Sequence, residues 1–214
     1  VNALSLMIDR YVDKAVPITE AVSDGADELV TLLDRTRDML DALDGIEEYN
    51  DTVLRELRDF CTELEAAGRE MEAAADEMEK AFDLLENDIE LPDTTQLRAD
   101  LKDLLAALVD LNEVIDKAMN EYEDTGSVSA ETRDELEDSL RTTFDCLSEV
   151  VKDLNDIAQD PDLDGMLDHD LEVLREVAKH FKNAMSLCSD AADHMTDGIA
   201  HMRKALDALR EINR

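Results

Sequence analysis

The chain has 214 residues, with 56 acidic side chains against 21 basic ones and a formal net charge of -35. That balance excludes direct recognition of nucleic acid, which needs Lys and Arg to displace counterions from phosphates, and it disfavours an anionic membrane surface while favouring cations and basic partners. Hydrophobic residues at 44% suffice for a core, and aromatics at 3% with 6 Gly and 3 Pro point to long helices rather than strands.

No apolar run reaches the roughly 18 residues that a membrane-spanning helix needs, and no signal peptide is visible. The chain begins at Val1 rather than Met, as a piece of a longer or processed protein would. The apolar residues recur at alternating steps of three and four, the a/d seam of packed helices.

The first segment, about 2–45, carries Leu4, Ile8, Tyr11, Ala15, Ile18, Val22, Leu29, Leu33, Leu40 and Leu43, with weak slots at Gly25 or Ala26 and at Thr36. Pro17 should kink this helix or start a new one. Asp44-Gly45 stops it, and Asn50-Asp51-Thr52 can cap the next. The second segment, about 51–88, reads Leu54, Leu57, Cys61, Leu64, Gly68, Met71, Ala75, Met78, Phe82 and Leu85. Pro92 ends it, and Asp93 with Gln96 resembles a capping box.

The third segment, about 94–124, carries Leu97, Leu101, Leu104, Leu108, Leu111, Ile115, Ala118 and Tyr122 before a turn at Asp124-Thr125-Gly126-Ser127. Ser129 can cap the fourth, about 130–158, with Leu136, Leu140, Phe144, Leu147, Val151 and Leu154. The fifth, about 168–213, reads Leu171, Leu174, Ala178, Phe181, Met185, Cys188, Ala192, Met195, Ile199, Met202, Leu206 and Leu209. Wide seams at Leu32-Leu33, Met39-Leu40 and Leu104-Leu105 favour packing of three or more helices over a two-stranded coil. The expected fold is therefore all-α: a single elongated antiparallel bundle of five heptad-patterned helices over 1–214. Residues 23–46 and 189–212 align without gaps at ten of 24 positions, including Leu40-Asp41-Ala42-Leu43 with Leu206-Asp207-Ala208-Leu209. Convergence of two Asp/Ala/Leu-rich heptad helices accounts for that similarity more simply than duplication.

Two patterns carry candidate chemistry. Asp160, Asp162, Asp164, Gly165 and Asp168 follow the opening D-x-D-x-D-G of an EF-hand calcium loop, in which alternate positions aim oxygens inward and Gly permits the turn. The bidentate Glu expected at the twelfth position is replaced by Leu171, which predicts weak calcium binding at most. His180, His194 and His201 share one heptad position, and each has an acid four residues earlier on the same helix face: Glu176, Asp190 and Asp197. A His and a carboxylate one turn apart can chelate a transition metal. The Glu-x-x-His motif of di-iron bundles is absent, since Val177, Ala191 and Gly198 stand three before the histidines.

Met78, Met119, Met185, Met195 and Met202 read as core, and Cys61, Cys146 and Cys188 as core thiols without a disulfide or zinc pattern. No nucleophile elbow, P-loop or dinucleotide fingerprint occurs, so no enzyme activity and no cofactor are expected beyond a weak calcium ion.

The blocks Ser23-Asp24-Gly25-Ala26-Asp27-Glu28-Leu29 and Ala192-Asp193-His194-Met195-Thr196-Asp197-Gly198-Ile199 resemble the helical coiled-coil ectodomains of bacterial membrane proteins, the RND/MmpL-type exporters and the YhgE/Pip-type proteins. That resemblance implies an extracytoplasmic or cell-surface spacer, scaffold or interaction module of a larger membrane-associated or exported protein. Its partner would be another protein, or a second copy bound through the helical seams. A second resemblance, carried by acidic runs such as Asp134/Asp138, is to PhoU-like bundles. It implies a metal-responsive regulatory adaptor.

Overall fold

The computed structural model describes residues 18–43, 48–84, 94–159 and 171–213. Among them the chain is all-α, in five helices: α1 (Ile18–Asp41), α2 (Asp51–Asp83), α3 (Thr95–Thr125), α4 (Ala130–Gln159) and α5 (Leu171–Ile212). The helix starts and stops follow local chemistry. Asn50 accepts a hydrogen bond from the Val53 N–H at 2.9 Å and caps α2. Gly126, at φ 74, ends α3 in the left-handed conformation that a Cβ disfavours. The Ser129 hydroxyl accepts from the Thr132 N–H at 3.2 Å at the start of α4.

The described helix of α2 ends at Asp83 with Leu84 as its C-cap, and residues 85–88 of the expected segment lie outside the described residues. One cap differs from the sequence reading. Thr94, not Asp93, is the N-cap of α3, and it makes no side-chain cap bond. Its hydroxyl donates instead to Glu79 at 2.8 Å, while the Gln96 amide donates forward to Asp100 at 2.9 Å. Thr94 thus joins α3 to α2.

The heptad seam is the core. Leu54, Leu57, Cys61, Leu64, Met71, Ala75, Met78 and Phe82 of α2 are buried, as are Leu97, Leu101, Leu104, Leu108, Leu111, Ile115 and Ala118 of α3. The α5 series from Phe181 through Leu209 is buried as well. The weak slot at Thr36 is also buried, its hydroxyl donating to the Leu32 carbonyl at 2.9 Å, a bond that satisfies the only polar atom placed there.

Among the described residues each helix packs on two others, and the order closes on itself as α1–α5–α2–α3–α4–α1. Cross-helix pairs give the directions. Arg98 reaches Glu79 and Asp76, and Arg58 reaches Asp116, so α2 and α3 run antiparallel. Lys117 meets Glu135 at 2.7 Å, and the Thr143 hydroxyl reaches the Ala107 carbonyl at 3.4 Å, so α3 and α4 do too. Arg141 faces Asp41 at 3.8 Å, and Arg37 stacks on the Phe144 ring at 5.4 Å, which sets α1 antiparallel to α4. The α2–α5 pair is antiparallel as well, because rising numbers on one meet falling numbers on the other.

A closed ring with an odd number of helices cannot alternate direction throughout, so the remaining pair, α1 with α5, runs parallel. The expectation of an antiparallel bundle is corrected at that one seam. It is the seam where described parts of the two similar segments meet: Arg35, Asp38, Met39 and Ala42 face Arg203, Leu206, Asp207 and Arg210 across one groove.

Candidate functional site

The most regular chemistry in the molecule lies between α2 and α5. His180 Nδ1 is 2.8 Å from Glu77 Oε2, His194 Nδ1 is 2.8 Å from Glu63 Oε2, and His201 Nδ1 is 2.6 Å from Glu56 Oε2. A carboxylate only accepts, so each ring donates through Nδ1. Each step along α5 is matched by an equal step backward along α2, so the three pairs are rungs of one ladder. The side chains are partly shielded, with 22%, 38% and 26% of each imidazole exposed.

Heptad spacing explains the ladder. Glu56, Glu63, Glu70 and Glu77 occupy one heptad position of α2, and His180, Leu187, His194 and His201 occupy the matching one of α5. The register sets Glu70 level with Leu187, so that rung is missing. The acids Glu176, Asp190 and Asp197 share a helix face with the histidines, but they are not their partners. Asp190 and Asp197 are exposed, and Glu176 lies 4.0 Å from Lys179. The expectation of intrahelical His–acid pairs is corrected: the α2 glutamates stand closer to the seam and take the imidazole hydrogens.

Beside the ladder runs a heptad stripe, mostly of small residues with Phe60 as the large exception, that the sequence reading did not single out. Val53, Phe60, Ala67, Ala74 and Ala81 on α2, and Val177, Ala184, Ala191, Gly198 and Ala205 on α5, recur every seven residues and are buried. Small side chains let two antiparallel backbones approach closely. The fit is specific at Gly198, where an added Cβ would lie 3.3 Å from the Phe60 ring and 3.4 Å from Glu63 Cβ. Phe60 fills the space that glycine leaves. Beyond Ala81, Phe82 and Phe181 meet edge to face with centroids 5.7 Å apart.

The rungs share a pair but not its neighbours. At the His180 rung, Lys80 donates to Glu77 at 2.7 Å and the Asn183 amide at 3.3 Å. Lys80 first, then His180, hold the Glu77 carboxyl far below its ordinary value, at about 2. At the His194 rung the residue one turn beyond Glu63 is Ala66. At the His201 rung it is Asp59, whose Oδ2 lies 3.8 Å from His201 Nδ1. Ligand atoms of Glu56, Asp59 and His201 all fall within 4.8 Å of one another, a spacing that suits a metal ion.

One stretch of the α3–α4 seam gathers several acids. Asp100, Asp103, Asp145, Cys146, Ser148 and Glu149 line a groove of about 390 Å³ there. Burial first, then the hydrogen bond to Asp100 and that residue's negative charge, push the Asp153 carboxyl up to about 6.

Cys61 and Cys188 are buried and Cys146 is partly so. Burial pushes the Cys61 and Cys188 thiols up to about 12 and raises that of Cys146, which leaves them poor nucleophiles. The Cys61 thiol donates to the Leu108 carbonyl at 3.6 Å. The candidate calcium ligands Asp160, Asp162, Asp164 and Asp168 lie outside the described residues.

Comparison with protein-family models, with curated proteins and with solved structures gave no match.

Among the described residues no helix is long and apolar enough to cross a membrane.

Proposed function

We propose that this chain is a non-catalytic helical scaffold: a stiff extracytoplasmic spacer and protein-interaction module of a larger membrane-associated or exported protein. The observation that carries this reading is the register lock between α2 and α5. Three evenly spaced His–Glu bonds and a matched stripe of small residues oppose sliding of the two helices. A slip of one residue would part every rung at once and drive Phe60 out of the gap at Gly198. With 33 and 42 residues, these helices extend for about 50 and 63 Å. A rod of that length with a fixed register transmits position, which is what a spacer does.

The described seam residues face one another inside the bundle. A partner therefore docks on the outer faces. Those faces are strongly acidic, which favours a basic protein surface and a salt-sensitive rate of association.

The test is a distance measurement. Spin labels at Glu172 and Glu211, on a Cys146→Ala background, should report one narrow separation of about 58 Å, the rise of a continuous helix. The buried Cys61 and Cys188 stay unlabelled in the folded chain. A broad or bimodal distribution would show a jointed molecule and sink the spacer reading.

A further inference from the structure

We propose that Glu56, Asp59 and His201 form a site for one divalent ion of the zinc class, clamped between α2 and α5. The three ligand atoms already converge, with His201 Nδ1 2.6 Å from Glu56 Oε2 and 3.8 Å from Asp59 Oδ2. Ligands held about 2.0–2.2 Å from a tetrahedral zinc ion lie roughly 3.3–3.5 Å apart. The two distances bracket that value, so small side-chain rotations admit the ion. Glu56 and Asp59 stand one turn apart and present both carboxylates on one face of α2, while the imidazole comes from the opposite helix. The ion takes the place of the Nδ1 hydrogen: the ring ligates as the neutral tautomer, with Nδ1 bound to the ion and its one hydrogen on Nε2, the proton being exchanged through solvent. Water completes the fourth position.

The donor set decides the class of ion. Calcium takes six to eight oxygens, whereas one imidazole nitrogen with two carboxylates suits zinc and its borderline neighbours. The two other rungs show why the site is here. Ala66 supplies no donor at the His194 rung, and the Lys80 ammonium occupies Glu77 at the His180 rung. Asp59 has 57% of its side chain exposed, so an ion can enter from solvent. The chain's charge of -35 concentrates cations around it.

The same charge attracts cations indiscriminately, which sets the design of the experiment. The full chain is titrated with Zn²⁺ by calorimetry, at about 0.3 M salt to screen the surface and with excess Ca²⁺ to fill oxygen-only sites such as 160–168. Co²⁺ serves as a coloured substitute. The expected result is one tight equivalent per chain and a visible Co²⁺ band. His201→Gln should abolish both, Asp59→Asn should weaken binding by at least about tenfold, and His180→Gln should change neither. Circular dichroism melts confirm that each variant is folded. Among the described residues Asp59 approaches only this cluster, so its variant tests the site even where His201→Gln loosens the seam. Weak uptake that His201→Gln leaves unaltered, or an equal loss in His180→Gln, would overturn the proposal.

Discussion

The α2–α5 and α3–α4 seams solve the same problem differently. Both place carboxylates at the edge of an apolar interface. Across α2–α5 three of the four inward Glu, Glu56, Glu63 and Glu77, meet an imidazole that donates to them, and Glu77 a lysine and an asparagine besides. Across α3–α4, Asp153 faces Asp100, and burial together with that neighbouring carboxylate makes it hold a proton more tightly. A carboxylate at the edge of a core keeps its charge more readily where a donor side chain faces it than where a second carboxylate does. The packing differs in parallel. Leucines fill the described core of α3 and α4, whereas alanine and glycine line much of α2–α5.

That contrast can be broken most forcefully through packing. Leu147→Ala, at a fully buried position on α4, should cost about 2–5 kcal/mol by leaving a cavity. Ala191→Leu does the reverse, forcing bulk into the small-residue stripe, and should cost about 1–3 kcal/mol. Urea unfolding midpoints measure both. If Ala191→Leu is neutral, the α2–α5 backbones are not held as close as the stripe implies.

Charge chemistry gives the next effect. The Asp153 carboxyl binds its proton more tightly in the fold (about 6) than in the unfolded chain. The native state thus holds the extra proton between about pH 4 and 6, and stability falls as pH rises through that window. Asp153→Asn should remove the fall and raise stability at pH 7 by on the order of 1 kcal/mol, a figure reduced for the solvent that reaches this side chain. Thermal melts from pH 4 to 8 check the sign; a variant that stays parallel to the parent at every pH would show that Asp153 binds its proton no more tightly in the fold than in the unfolded chain.

Glu77 is the mirror case. Its carboxyl is held down at about 2, so its contribution is complete above the ordinary carboxylate range near 4.5 and is lost as pH falls toward 2. Glu77→Gln should lower stability at pH 7 by about 1 kcal/mol, and the gap should close in melts taken at progressively lower pH. The smallest effect belongs to well-exposed ion pairs. Lys152→Ala removes a loose pair with Glu149 at 3.8 Å, both partners being well exposed, and should leave the midpoint unmoved within scatter.

The candidate site was half legible in the sequence. The shared heptad position of the histidines stands out there, and so does the run Glu56, Glu63, Glu70, Glu77 once α2 is read for acids as well as for leucines. Their pairing was not legible. Nearly every helix face in this chain offers an acid one turn from any residue, and only the α2–α5 register shows which carboxylate meets which imidazole. The same holds for the small-residue stripe, whose alanines gain meaning only opposite other small residues.

What the sequence by itself determined is local and periodic: the five described helices, the caps at Asn50 and Ser129, the left-handed stop at Gly126 and the leucine seam. These follow from backbone preferences and a repeat that any one helix displays alone. The tertiary structure alone decided which helix lies beside which, the parallel α1–α5 pair, the crosswise His–Glu rungs and the convergence of Asp59 on one of them. Those depend on distances between residues on different helices, more than a hundred positions apart for the His–Glu rungs, and no local preference encodes them.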